Sequence, residues 1–293
     1  MPVNEKPVSK PDILFISGSP RNRTSVALLD LLERAARSAG ANTQRFLLSK
    51  KNILPCTGCD GCMKTGICIL ANKTKNGRFI DDYLELKASL DRVDAVAIVS
   101  PLYFAGPPAQ LKALYDRFQP YWVKNYILGE KSQPKRPAQL FMLGGYSDPH
   151  GHEPLVTISK SALAVAGFNL EKINNFIGFK DPREVPNMPA EDDFEQYTPG
   201  QLAGIRKIIT QQKAYEQRAR DAGGAFARSV INKLHAKNSE DDNHVDVDEE
   251  SVELVIEEAG LTEEITEDIV PDETTPEADD MGLETIEDVD EKA

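Results

Sequence analysis

The four cysteines of this chain all lie in one short segment, PCTGCDGCMKTGIC, at residues 55–68. Cys56, Cys59 and Cys62 are separated from one another by two residues, and Cys68 follows after five more. Thiolates spaced in this way can converge on one iron–sulfur cluster, which takes four of them as ligands. No histidine lies near them in the sequence, so a mixed Cys/His zinc site is not indicated. A zinc site of four cysteines and a loop of redox-active thiols remain open alternatives.

A second segment that could do chemistry is SGSPRNRTS, at residues 17–25, which follows the apolar run DILFI. Its hydroxyl groups and arginines could bind a phosphate, and the following helix would point its N-terminal amides at the same place. The segment has neither the GxxxxGK[ST] nor the GxGxxG pattern, so a flavin monophosphate fits it better than a triphosphate or a dinucleotide. An alternative is that Thr24 or Ser25 only caps the helix. The candidate phosphate-binding residues are Ser17, Ser19, Arg21, Thr24 and Ser25.

Two further segments follow predicted strands and could line the same pocket, because ligands of open α/β sheets bind at the carboxyl ends of the strands. The segment SPLYF, at residues 100–104, offers apolar and aromatic side chains that could pack beside an aromatic ring system. A pair of glycines after another strand would allow close approach of the backbone. Each aromatic residue could instead belong to the core. The candidate ring-binding residues are Pro101, Leu102, Tyr103, Phe104, Gly144 and Gly145.

The elements that must position these segments alternate between strands and helices. Short apolar runs predict strands at residues 12–16, 43–48, 94–99, 138–143 and 168–178. Apolar residues at helical spacing predict helices at residues 26–36, 81–91, 109–118 and 154–166. A long polar helix fits residues 199–220, and a basic amphipathic stretch fits residues 225–237. This alternation favours an α/β fold with a parallel sheet covered on both faces. Five strands suit a flavodoxin-like, doubly wound domain.

Charge divides the chain into a basic body and an acidic tail. The net charge of −13 conceals 24 Asp and Glu with one Lys in residues 239–293, against 33 Lys and Arg with 23 Asp and Glu before them. The tail holds no aromatic residue, and we expect it to be disordered apart from a weak helix at residues 251–258. Its role could be to keep the protein soluble or to dock on the basic body. The expected parts are a disordered N-terminus (1–11), a flavodoxin-like FMN-binding domain (12–220), a basic helical extension (221–238) and a disordered acidic tail (239–293).

Composition also limits the cellular setting. The N-terminal residues lack the apolar core of a signal peptide, and no apolar run approaches the roughly 18 residues that span a membrane. We therefore expect a cytoplasmic protein with no membrane partner, in which stable disulfides are disfavoured. The basic residues of the body are dispersed and form no reading motif, so we expect no nucleic-acid partner.

Taken together, three segments resemble the NAD(P)H-dependent FMN reductases of the flavodoxin-like superfamily. They are GSPRNRTS (18–25), the cysteine segment (55–68) and SPLYFAGPPAQLKALYDR (100–117). The cysteine spacing is also similar to that of the iron–sulfur flavoproteins, a branch of the same superfamily. The resemblance covers about residues 12–180, and it departs after the last cysteine, where LANKTKNGRFI precedes the acidic pair Asp81-Asp82.

The resemblance implies an enzyme that binds FMN without a covalent bond, takes a hydride from NAD(P)H and reduces a flavin, a quinone or a protein. It places the FMN phosphate on the loop at residues 18–25 and the isoalloxazine ring against Pro101–Phe104 and the glycine pair. It further implies a homodimer or a homotetramer, and a [4Fe–4S] cluster if the cysteine loop holds one. Ferredoxin would then be a partner in electron transfer. An FMN redox sensor without turnover of its own is the alternative from another class, and no side chain is nominated as catalytic, because the cofactor carries the hydride chemistry.

Overall fold

A computed structural model of the chain describes residues 10–72, 74–75, 78–130, 134–146 and 148–243, without the side chains of residues 78–79 and 238–243. The expectations for the acidic tail beyond residue 243 and for a weak helix at residues 251–258 lie outside this part of the chain. The described residues all belong to one compact unit, which ends at Asn243.

A five-stranded parallel sheet forms the centre of this unit. Its strands are β1 (Asp12–Ser17), β2 (Asn42–Leu47), β5 (Ala95–Pro101), β6 (Arg136–Gly144) and β7 (Phe168–Ile177), whereas β3 (Thr74–Lys75) and β4 (Arg78–Phe79) form a separate hairpin. The strand order in the main sheet is β2-β1-β5-β6-β7. The helices are α1 (Thr24–Ser38), α2 (Tyr83–Leu90), α3 (Ala109–Asp116), α4 (Gln119–Trp122), α5 (Glu153–Val165) and α6 (Pro199–Asn243). The predicted flavodoxin-like α/β sheet is therefore confirmed.

The helices cover both faces of the sheet, and each face has its own core. Alternate residues of β1 point to opposite faces, so Leu14 and Ile16 join one core while Ile13 and Phe15 join the other. Helices α2, α3 and α5 cover the first face, and α1 and α6 cover the second. Strands buried on both faces explain the unbroken apolar runs that predicted them.

Helix α6 is longer and more continuous than the sequence predicts. The prediction of two helices, at residues 199–220 and 225–237, is wrong because one helix runs through the pair Gly223-Gly224 to Asn243. At Gly223 helices α1 and α6 touch so closely that an added Cβ would lie 2.3 Å from the carbonyl oxygen of Leu32 on α1. Glycine is thus required for close helix packing here and does not mark a break. Downstream of the pair, Phe226 and Val230 are buried in the second core.

Several short elements were not predicted, among them α4 and two others. The short antiparallel hairpin of β3 and β4 follows the cysteine loop. A π-helical turn, Val123–Ile127, extends α4. Both are too short for periodicity to reveal. Among the described helices, none is long and apolar enough to cross a membrane.

Candidate functional site

Three loops at the carboxyl edge of the sheet surround one cleft of about 290 Å³. They follow β1, β5 and β6, which are neighbours in the sheet, so their ends must meet at the same edge. Nine of the eleven predicted cofactor-binding residues line this cleft: Ser19, Arg21, Thr24, Ser25, Pro101, Leu102, Tyr103, Gly144 and Gly145. Ser17 and Phe104 are not part of its lining.

The loop after β1 forms the polar end of the cleft. Helix α1 begins at Thr24, and no side chain caps its N-terminus, so the alternative that Thr24 or Ser25 serves only as a cap is not what the structure has. Uncapped amides at a helix N-terminus are donors suited to an anion. The backbone amide of Arg21 donates to the Ser19 hydroxyl at 3.1 Å, which holds the loop in a tight turn. The arrangement can bind a phosphate group.

The loops after β5 and β6 form the apolar end of the cleft. The Leu102 amide donates to the carbonyl oxygen of Leu143 at 2.7 Å and so ties the two loops together. A Cβ added to Gly145 would meet no atom within 4 Å, so the glycine leaves open space on that side. Flat apolar walls joined to a polar end suit a ligand that has an aromatic ring system at one end and a phosphate at the other.

Phe104 is placed away from the cleft lining by a tight turn. Tyr103 and Gly106 exchange two backbone hydrogen bonds of 2.9 and 3.0 Å, and the two residues between them have φ angles of 50° and 60°. Phe104 therefore lies at the tip of the turn and is 100% exposed. The amide of the next residue, Ala105, donates to the Asp148 carboxylate at 3.0 Å, which anchors this strained backbone.

Ser17 lies below the cleft, because the alternation of β1 directs its side chain to the face covered by α1 and α6. It is fully buried, and its hydroxyl has no hydrogen-bond partner in the described part of the chain. A ligand in the cleft would therefore contact its neighbours in the loop.

Leu143 and Glu184, which were not predicted, also line the cleft, and so does Arg23 of the phosphate loop. Leu143 precedes the glycine pair and could have been found as the last apolar residue of its strand. Glu184 comes from a short helical turn, Pro182–Glu184, about 160 residues beyond the phosphate loop. No local pattern in the sequence connects it with that loop.

The cysteine loop lies elsewhere, after β2 and beside the core that α2 and α3 cover. Cys56 and Cys59 are exposed, whereas Cys62 and Cys68 are half-buried, and none of the four forms a disulfide. Partial burial raises the pKa of the Cys62 thiol, and the neighbouring thiols raise it further.

As ligands, the four thiols suit an iron–sulfur cluster in number and chemistry. Within the part of the chain that the structure describes, no group of three or more Cys, His, Asp or Glu side chains is placed to hold a metal ion. The metal site at Cys56, Cys59, Cys62 and Cys68 stays a prediction.

A buried ion pair joins the two ends of the cysteine loop. Arg117, at the end of α3, is 1% exposed and contacts the carboxylate of Asp81, which follows the loop. The same guanidinium donates to the carbonyl oxygen of Leu54, just before the loop, at 2.9 Å. It also lies over the ring of Tyr83 at 4.3 Å. Arg117 thereby fixes the points at which the loop leaves and rejoins the core.

Parts of this chain are similar in sequence to known proteins. An iron–sulfur flavoprotein of Methanocaldococcus jannaschii is 36% identical over 110 residues, which make up 37% of this chain and 52% of that protein. One of Archaeoglobus fulgidus is 34% identical over 116 residues, or 39% of this chain and 49% of that protein. The chain thus spans about half the length of the curated relatives it matches.

A solved structure described as a flavone reductase superposes with a TM-score of 0.50 at 16% identity, over 77% of this chain and 65% of that one. At this identity the likeness shows the fold alone. The family model described as NADPH-dependent FMN reductase matches residues 11–147, which contain the phosphate loop, the cysteine loop and the SPLYF segment. This segment of the chain is therefore similar to the NADPH-dependent FMN reductases.

Proposed function

We propose that this protein is an FMN-dependent oxidoreductase that takes a hydride from NAD(P)H and passes reducing equivalents to a flavin, a quinone or a protein. The observation that carries the proposal is the cleft at the carboxyl edge of the sheet, where nine predicted residues from three loops meet. One end of that cleft suits a phosphate and the other suits a flat ring. The match of residues 11–147 to the family model described as NADPH-dependent FMN reductase supports the same interpretation.

The residues at the polar end would bind the phosphate of FMN. Ser19, Thr24 and Ser25 supply hydroxyl groups, and Arg21 supplies a positive charge. The uncapped start of α1 adds backbone amides and the positive end of its dipole. Together these groups would orient the cofactor by its phosphate and leave the ring to the apolar end.

The residues at the apolar end would position the ring. Pro101, Leu102 and Tyr103 form one wall, and the open side at Gly145 leaves room for a second flat molecule. When bound, FMN supplies the capacity to accept a hydride and to release electrons to an acceptor. The protein supplies binding, orientation and partial exclusion of water, which is why no side-chain acid or base needs to be assigned.

The test is titration of the protein with FMN, followed by quenching of flavin fluorescence, in parallel with NADPH oxidation in the presence of a quinone. We expect Arg21→Ala to weaken FMN binding about tenfold or more, because a charge-assisted hydrogen bond to the phosphate is lost. Binding of riboflavin, which has no phosphate, should change little. Arg34→Ala is the matched control, because Arg34 is an exposed arginine on α1 that does not line the cleft.

The outcomes separate the proposed classes. FMN binding with NADPH oxidation supports the oxidoreductase. FMN binding without oxidation of NADPH or NADH would favour the redox sensor. A wild-type protein that binds no FMN refutes the proposal, because both ends of the cleft were assigned to that cofactor.

A second candidate is an iron–sulfur flavoprotein that acts in ferredoxin-linked electron transfer. The four-cysteine loop favours it, and so does the similarity to archaeal proteins described as iron–sulfur flavoproteins. The test is iron and sulfide analysis after anaerobic reconstitution, with Cys62→Ser as the variant. About four irons per chain, lost in the variant, would support the cluster. Zinc without sulfide would point to a zinc site, and neither metal would leave the loop as thiols.

A further inference from the structure

The segment at residues 178–184, outside the family-matched residues, contributes Glu184 to the cleft and is held in place by hydrogen bonds. It follows β7 and is held by the long helix α6. The hydroxyl of Tyr215 donates to the carbonyl oxygen of Ile177 at 2.6 Å. The buried Gln212 side chain accepts a hydrogen bond from the backbone amide of Lys180 at 3.1 Å and donates to its carbonyl oxygen at 3.0 Å. The position of the segment is therefore set by α6.

The last part of this segment forms one ion pair within itself and a second one with the phosphate loop. Asp181 is 2% exposed and accepts hydrogen bonds from the amide of Arg183 at 3.0 Å and from its Nε at 2.9 Å. The hydrogen bond from the Arg183 side chain lowers the pKa of Asp181, so that carboxylate stays ionised and occupies Arg183. The next residue, Glu184, lines the cleft and pairs with Arg23 at 3.5 Å.

A carboxylate at this place changes the charge balance of the phosphate end. Of the two arginines in the loop, Arg23 is compensated by Glu184, whereas Arg21 has no ion pair among the described side chains. A phosphate monoester brings about −1.5 to −2 charges at neutral pH. We propose that Glu184 is a specificity-determining residue of the cleft, which holds Arg23 and weakens the binding of a phosphate dianion relative to an uncharged end group. This inference rests on the proposed binding of FMN.

The expected size of the effect follows from exposure. The side chains of Arg23 and Glu184 are 68% and 54% exposed, so solvent screens their charges and each interaction is modest. Because the phosphate carries nearly two charges, we expect Glu184→Gln to tighten FMN binding about fivefold. Riboflavin binding should stay unchanged. The difference should shrink at high salt, since exposed charges are screened within a Debye length.

The experiment measures the dissociation constants of FMN and riboflavin for the wild-type protein, Glu184→Gln and a control. Glu191→Gln makes the same charge change in the helical turn Glu191–Gln196, at an exposed residue that does not line the cleft. The proposal expects the FMN-to-riboflavin affinity ratio to rise only in Glu184→Gln. An unchanged ratio, or weaker binding of both flavins in that variant, would overturn it. Failure of the wild-type protein to bind either flavin would refute the proposed function instead, so the two failures can be told apart.

Discussion

The buried pair of Arg117 and Asp81 allows a strong prediction about stability. Replacing Arg117 with methionine removes the guanidinium but leaves the Asp81 side chain, which is 0% exposed, with the Tyr83 amide at 2.7 Å as its one remaining donor among the described residues. A carboxylate left unpaired in the interior costs far more than a surface charge. Removal of one partner of a buried pair typically destabilises a protein by about 3–5 kcal/mol.

The expected loss can be compared directly with that of an exposed pair on the same helix. For a domain of this size, a loss of about 3–5 kcal/mol corresponds to a fall in Tm of roughly 10 °C. Lys112 pairs with Asp116 on α3 at 2.6 Å, but both side chains are more than 40% exposed. Lys112→Met should therefore cost less than about 0.5 kcal/mol.

Urea unfolding followed by circular dichroism measures both variants and the double variant Arg117→Met/Asp81→Leu. We expect the double variant to regain at least half of the loss, because no buried charge remains. Alkylation of the four cysteines should be faster in Arg117→Met, since the ends of their loop are no longer tied. If Arg117→Met costs no more than Lys112→Met, or if the double variant regains nothing, the reasoning about the buried charge is refuted.

Two further predictions concern α1 and its neighbours. Gly223→Ala places a Cβ 2.3 Å from the Leu32 carbonyl oxygen, so we expect a net loss of about 2 kcal/mol despite the higher helix propensity of alanine. Gly224→Ala meets only the end of an arginine side chain at 3.1 Å and should gain about 0.5–1 kcal/mol; urea unfolding of both variants checks this, and equal effects would contradict it. Burial alone would raise the pKa of Glu33, but hydrogen bonds, chiefly from Arg45, lower it below its usual 4.5. Because folding lowers this pKa, ionised Glu33 stabilises the folded protein at pH values above its unfolded-state pKa, and this contribution is lost as the pH falls through its folded-state pKa. Glu33→Gln should therefore make the acid-induced loss of stability shallower. Unfolding curves over a pH series measure this, and an unchanged slope would argue against it.

Local patterns in the sequence were sufficient for the sheet and for most of the cleft. Strands β1 and β5 are buried on both faces, so their composition alone marks them as central. Loops that follow neighbouring parallel strands must meet at one edge, and this rule is enough to bring the phosphate loop beside Pro101 and Tyr103. The same rule does not give the position of Phe104, because a two-residue turn places its side chain outside the cleft lining.

Residues that depend on distant contacts could not be predicted in this way. Glu184 reaches the cleft only because Gln212 and Tyr215 of α6 fix the backbone before it. Gly223 looks like a helix breaker in isolation, yet the close approach of Leu32 makes it a packing residue. In both cases the neighbour that matters lies far away in the sequence, and local patterns in the sequence do not reveal the contact.

These distant contacts also determine how much of the chain the site needs. The family-matched segment ends at residue 147, before β7 and α6. Phe15 on β1 belongs to a core that also holds Phe176, Phe226 and Val230, all of which lie beyond that point. Without them this face of the sheet would be covered by α1 but would lose the part of its cover that α6 provides, and burial of such side chains stabilises a sheet against its helices. The family segment therefore carries the motifs of the cleft, while the residues after it complete the core and add the carboxylate that faces the phosphate end.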